Sequence, residues 1–105
     1  MAGMAALNNL RNISKLMHWE EVSEQHFLLD VRSNKEFERG HVPNSINIPV
    51  NQLRARLTEI SKDRPIAAFC QAGVRGHVAT RILKQNGFDV MNVSGGYLTY
   101  CNKII

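Results

Sequence analysis

A chain of 105 residues, 44% of them hydrophobic and 21% charged, has the profile of one globular domain around one core. No apolar run approaches the ~20 residues a membrane span needs, and the amino terminus lacks the basic start and long apolar stretch of a signal peptide, which reads as a cytoplasmic protein. Two cysteines make neither a disulfide framework nor a four-ligand zinc site, so no metal is expected, and the basic residues behind the net charge of +4 are scattered rather than striped with aromatics, which argues against nucleic acid.

Residues 4–10 read as a short helix with Met4, Leu7 and Leu10 along one edge, so residues 1–16 form a helical arm ahead of a domain over 17–105. Such an arm is either the residue of an upstream domain or a simple N-terminal extension. Residues 15–19 have the pattern of an edge strand, and residues 20–23 open a helical turn. The run Phe27, Leu28, Leu29, Asp30, Val31 is nearly continuous in its apolar character, as strands buried on both faces of a parallel sheet are. Asp30 falls at the carboxyl end of that strand, where open α/β sheets bind ligands. Asp30 and Arg32 are therefore either a structural ion pair below a site or part of it, and the rule that buried carboxylates are retained by pairing favours the structural role.

Residues 34–39 make about one helical turn that Gly40 can end, and His41 to Ser45 is turn chemistry, in which His41 is either a catalytic base or, as the turn favours, a residue bonded to backbone. Ile46 to Ile48 is a short strand closed by Pro49. Val50, Leu53, Leu57 and Ile60 then recur at helical spacing. After a turn at residues 63–65 comes the strand Ile66 to Phe69, and an amphipathic helix begins near Val78 with Val78, Ala79, Ile82 and Leu83 as its apolar stripe. Gly87 caps it, Phe88 to Val93 is the last strand, and Tyr97, Leu98, Cys101, Ile104 and Ile105 share one face of a closing helix, with Cys101 in the core.

Between the strand ending at Phe69 and the helix lie Cys70, Gln71, Ala72, Gly73, Val74, Arg75 and Gly76. A cysteine at the end of a buried strand, facing a helix amino terminus, meets several unpaired N–H groups and the positive end of the helix dipole. Such surroundings stabilise an anionic sulfur, and the thiolate is the nucleophilic form; the alternative for this stretch is an inert cysteine buried at a strand end. Arg75 adds a positive charge at the far end of the loop, and Gly73 permits the backbone turns that a cradle of inward N–H groups requires. Strands alternating with helices imply a parallel sheet covered on both faces by right-handed crossovers.

Together, Asp30-Val31-Arg32, Glu36, Gly40-His41-Val42-Pro43, Ile46-Asn47-Ile48-Pro49, the Cys70 to Arg75 loop and Ser94-Gly95-Gly96-Tyr97 resemble a single rhodanese domain over about residues 17–105. The resemblance implies an α/β rhodanese-like fold, with a five-stranded, mainly parallel sheet flanked by helices on both faces. It also implies a sulfurtransferase that carries sulfane sulfur as a persulfide on Cys70, from thiosulfate, a persulfide or a polysulfide to a thiol or cyanide. The N–H groups of Gln71 to Gly76 would face that sulfur, Arg75 would steer an anionic donor, and Asp30, Arg32 and Glu36 would support the site.

The loop and the closing turn further resemble the rhodanese domain at the carboxyl end of coenzyme A disulfide reductases, although His77 stands where that subgroup often has tyrosine. This implies a fused or separate flavin-dependent reductase domain as partner and no cofactor in this chain, which has no glycine-rich dinucleotide fingerprint. Two alternatives use the same scaffold. One is a non-catalytic binding or regulatory module, which Cys70 argues against. The other is a phosphatase, whose cysteine and arginine are separated by five residues, whereas only Gln71, Ala72, Gly73 and Val74 intervene here.

Overall fold

A computed structural model describes residues 16–72 and 74–104. The helix expected over residues 4–10, Gly73 and Ile105 lie outside them. Strands β1 (Leu16–Met17), β2 (Phe27–Asp30), β3 (Ile46–Asn47), β4 (Ile66–Phe69) and β5 (Val90–Val93) form one sheet in the order β1-β5-β4-β2-β3, and every pairing is parallel. Helices α1 (Asn34–Arg39), α2 (Val74–Gln85) and α3 (Gly96–Ile104) and 3-10 segments at Trp19–Glu21 and Val50–Glu59 complete the described chain.

The central strand is β4, and all four of its residues are buried. Its side chains alternate between two cores. Ile66, Ala68 and the following Cys70 face Leu53, Ile60, Ala79, Ile82 and Leu83 from the second 3-10 segment and α2. Ala67 and Phe69 face Met17, Val42 and Val93, with Trp19, Tyr97 and Tyr100 packed over them from the first 3-10 segment and α3. Trp19 meets the Phe69 ring edge-on at 5.1 Å, a favoured aromatic geometry. The two alanines in β4 keep the strand thin, which lets a helical layer approach from each side.

The connections explain where a site can form. From β2 the chain passes across the Val42 core to the outer strand β3, then returns across the Leu53 core to β4 and continues over the same face through α2 to β5. The connections leaving β2 and β4 therefore depart in opposite directions and to opposite faces. The crevice between the carboxyl ends of these two strands is a topological switch point, the place where open α/β sheets take ligands.

Several boundaries and faces differ from the sequence expectation. Helix α2 begins at Val74, not near Val78, so Val74, Arg75 and Gly76 are its first turn. Gly76 makes this entry feasible: a side chain there would collide with the buried Asn92 carboxamide on β5. The buried stripe consists of Gly76, Ala79, Thr80, Ile82 and Leu83, and Val78, at the far side from Gly76 and Thr80, is 48% exposed. At the other end, Gly87 N–H donates to Lys84 O and Phe88 N–H to Leu83 O, a Schellman cap in which Phe88 also packs beside Leu83.

Phe88 thus belongs to the cap and β5 starts at Val90. Residues 50–59 form 3-10 turns broken at Arg56 (φ −119°, ψ 22°) instead of an α-helix, which still delivers Leu53 to the core. In α3 the buried side is made by the two tyrosines. Leu98 is 48% exposed and Cys101 only half-buried, so neither is the core residue expected.

Candidate active site

Cys70 directly follows the central strand at the switch point and is 1% exposed; neither it nor Cys101 is in a disulfide. Three segments converge on it. The first is the carboxyl end of β2. Val31 N–H donates to Phe69 O, which carries the pairing one step beyond the strands, and Asn47 Nδ2 donates to both Asp30 O and Arg32 O and so fixes the turn that follows. The Asp30 carboxylate accepts from the Arg32 backbone N–H at 2.9 Å and from the guanidinium at 2.8–3.0 Å. With 2% and 0% of these side chains exposed, this is a buried ion pair whose remaining donors are also used: Arg32 Nη2 donates to Gly40 O at 2.7 Å and Nη1 to Gln71 Oε1 at 3.2 Å. The Arg32 guanidinium also stacks over the Tyr97 ring, 4.1 Å from its centroid. The ion pair between Asp30 and Arg32 is present, and through Arg32 it also reaches the loop itself.

The second segment is the turn after β5. Ser94 N–H donates to Met17 O, and Tyr97 and Leu98 N–H donate to Cys70 O (2.7 Å) and Gln71 O (3.1 Å), so the open amino terminus of α3 holds the start of the loop. Gly96 takes a left-handed conformation (φ 59°), and a Cβ there would run into the carbonyl oxygens of Cys70 and Gln71. Only glycine meets both demands. Trp19 Nε1 donates to Gly96 O at 2.9 Å, tying this turn to the edge of the sheet.

The third segment is the loop with the first turn of α2. Arg75, expected as a steering cation, is instead committed to Glu36: Nη1 and Nη2 donate to the two carboxylate oxygens at 2.6 and 3.0 Å. Glu36 lies at N3 of α1, where it also completes a capping box with Ser33, so the short helix presents a fixed carboxylate to the loop. The Arg75 hydrogen bonds, aided by those from Ser33, hold the Glu36 carboxyl at about 2, well below the ordinary carboxylate value. The Arg75 guanidinium is correspondingly raised, first by Glu36, with smaller contributions from the nearby charges of Cys70 and Asp30. A fork-shaped bidentate pair of this kind fixes position as well as charge.

Of the remaining expected residues, Ala72 is exposed, Gln71 is half-buried against Arg32, and Gly73 lies outside the described residues. His41 is a turn residue: its ring lies flat on Phe37 with centroids 3.8 Å apart and Nδ1 is 2.9 Å from Phe37 O. A cavity of about 180 Å³ opens beside the loop, lined by Arg32, Glu36, Arg39, Gly40, Gln71 and Tyr97. Arg39, Gly40 and Tyr97 were not expected at the site. The Gly95-Gly96-Tyr97 sequence signalled a turn, but nothing in it told which strand ends the ring would span. Among the described residues no group of three or more potential metal ligands occurs, and no helix is long and apolar enough to cross a membrane.

The rhodanese-like domain model matches residues 11–103. A curated sulfurtransferase of Allochromatium vinosum is 32% identical over 79 residues, covering 74% of each chain. Among solved structures, reduced CoADR-RHD of Bacillus anthracis superposes with a TM-score of 0.82 at 39% identity, over 93% of this chain and 18% of that one. The NAD-dependent persulfide reductase of A. fulgidus gives 0.76 at 36% identity, over 91% of this chain and 18% of that one. Of two further curated relatives the chain spans 62% and 33% of the length. The parallel order of the strands, the cysteine loop at the switch point and the family match over residues 11–103 lead to one conclusion: the chain belongs to the rhodanese-like domain family.

Proposed function

We propose that this protein moves sulfane sulfur through a persulfide on Cys70. The observation that carries the reading is the position of Cys70: it ends the central strand at the switch point, ahead of the amino terminus of α2, with ion pairs anchoring the segments on either side. In the first step the Cys70 thiolate attacks the outer sulfur of the donor. The new S–S bond forms as the donor's own S–S bond breaks, and the electron pair of that bond leaves on sulfite when the donor is thiosulfate, or on a thiolate when it is a persulfide. In the second step an acceptor thiolate or cyanide attacks the sulfur on Cys70, which leaves as the thiolate. Neither displacement changes the net number of electrons, so the chain needs no cofactor for them.

A persulfide anion on Cys70 would form ahead of α2, where the positive end of the helix dipole favours negative charge. Two-step covalent transfer gives ping-pong kinetics. With thiosulfate and cyanide, initial rates should give parallel double-reciprocal lines, with activity lost in Cys70→Ser and retained in Cys101→Ser. Intersecting lines, or equal loss from the two substitutions, would contradict a single persulfide carrier.

The finer reading is that the chain works with a flavin-dependent disulfide reductase domain, fused or separate, and that its donor is coenzyme A persulfide or a related polysulfide. The likeness to reductase-linked domains, one named for a persulfide reductase, supports it. Coenzyme A persulfide should then load Cys70 faster than thiosulfate does; slower loading would count against this donor.

A further inference from the structure

We propose that Arg39 is the charge that draws small anionic substrates, those bearing a sulfonate or carboxylate, toward Cys70. The choice of substrate rests on the sulfur-transfer reading above; the electrostatic role does not. The cavity beside the loop is lined by two arginines, Arg32 and Arg39, and Arg75 is bonded to a third lining residue, Glu36. Arg32 is neutralised by Asp30 within a buried pair, and Arg75 by Glu36. Each pair adds a dipole but no net charge. Arg39, the last residue of α1, is exposed and makes no hydrogen bond or ion pair with any described residue. The uncompensated charge lining the cavity is therefore that of Arg39.

Its place fits the task. The same cavity is lined by Gln71, the residue after Cys70, and by Tyr97. A cavity of about 180 Å³ is large enough for a sulfur oxyanion or the end of a small persulfide. An exposed arginine at a rim offers a planar fork of donors to sulfonate or carboxylate oxygens and changes the rate of encounter more than the stability of the protein. Arg75 cannot take this role without giving up two short hydrogen bonds to Glu36.

Iodoacetate and iodoacetamide test the assignment, because both deliver the same carbon to the same sulfur with loss of iodide and differ in charge alone. The ratio of their rates at Cys70, read by peptide mass so that Cys101 does not interfere, reports the charge along the approach. Arg39→Gln should lower that ratio about threefold at low salt, with the effect shrinking as salt rises. Arg54→Gln, an equal charge change on the exposed side of the 50–59 segment, should leave it unchanged. An unchanged ratio in Arg39→Gln, an equal fall in Arg54→Gln, or failure of both reagents to reach Cys70 would each overturn the proposal. A lowered ratio in a protein that takes up no sulfur from thiosulfate would instead uphold the role of Arg39 and defeat the sulfur-transfer reading.

Discussion

Glu36 and Arg75 join the first turn of α1 to the first turn of α2 by two hydrogen bonds of 2.6 and 3.0 Å, and so set the width of the crevice in which Cys70 lies. The pair is part-exposed, with 28% of the Glu36 side chain and 37% of the Arg75 side chain in solvent. Its worth to stability is therefore about 1 kcal/mol after screening.

This pair makes a pH prediction. The Glu36 carboxyl is lowered from 4.5 to about 2 on folding, so its contribution is fully present above the unfolded value and is lost as pH falls from there toward the folded one. Urea unfolding of the wild type and of Glu36→Gln should differ by about 1 kcal/mol near pH 7 and converge only as pH falls to about 2. A difference that persisted at the acidic end would assign the effect to packing instead.

Because Arg75 is held by Glu36, Arg75→Ala should act on the loop rather than on donor charge. Turnover with thiosulfate and with an uncharged persulfide donor should fall by similar factors, in contrast to Arg39→Gln, which should discriminate between them. A loss confined to thiosulfate would return the steering role to Arg75.

Asp30 and Arg32 behave differently since both are buried. Asp30→Asn leaves the guanidinium charge without its counter-ion in the interior and should cost about 3–5 kcal/mol by urea unfolding, several times the cost of Glu36→Gln. Equal costs would mean that water reaches Arg32 in solution.

The glycines at the two helix entries give a steric test. Gly96→Ala places a methyl group against the Cys70 and Gln71 carbonyls in a left-handed conformation and should destabilise by about 2 kcal/mol or more. Gly76→Ala should be relieved when combined with Asn92→Ala, giving a non-additive double-mutant cycle. Strict additivity would remove the contact from the account.

Much of this was legible in the chain. The buried runs of β2 and β4, the turn glycines and the loop cysteine follow from apolar continuity and turn chemistry, which act over a few residues. What local pattern could not supply were the partners brought together by topology. Arg75 reads as a loop cation until α1 is placed beside it and Glu36 takes its charge. The start of α2 at Val74 depends on Gly76 lying against Asn92, sixteen residues further on, and Val78 falls off the buried face because Gly76 and Thr80 turn that face away from it. Tyr97 becomes a wall of the site because Arg32 stacks on it from the turn after β2.

The central claim, that Cys70 carries transferable sulfur, is tested most directly by intact mass. After incubation with thiosulfate the protein should gain one sulfur atom, located on the Cys70 peptide and removed by cyanide, with no gain in Cys70→Ser. A folded protein that gains no sulfur, or that gains it equally in Cys70→Ser, would contradict the account.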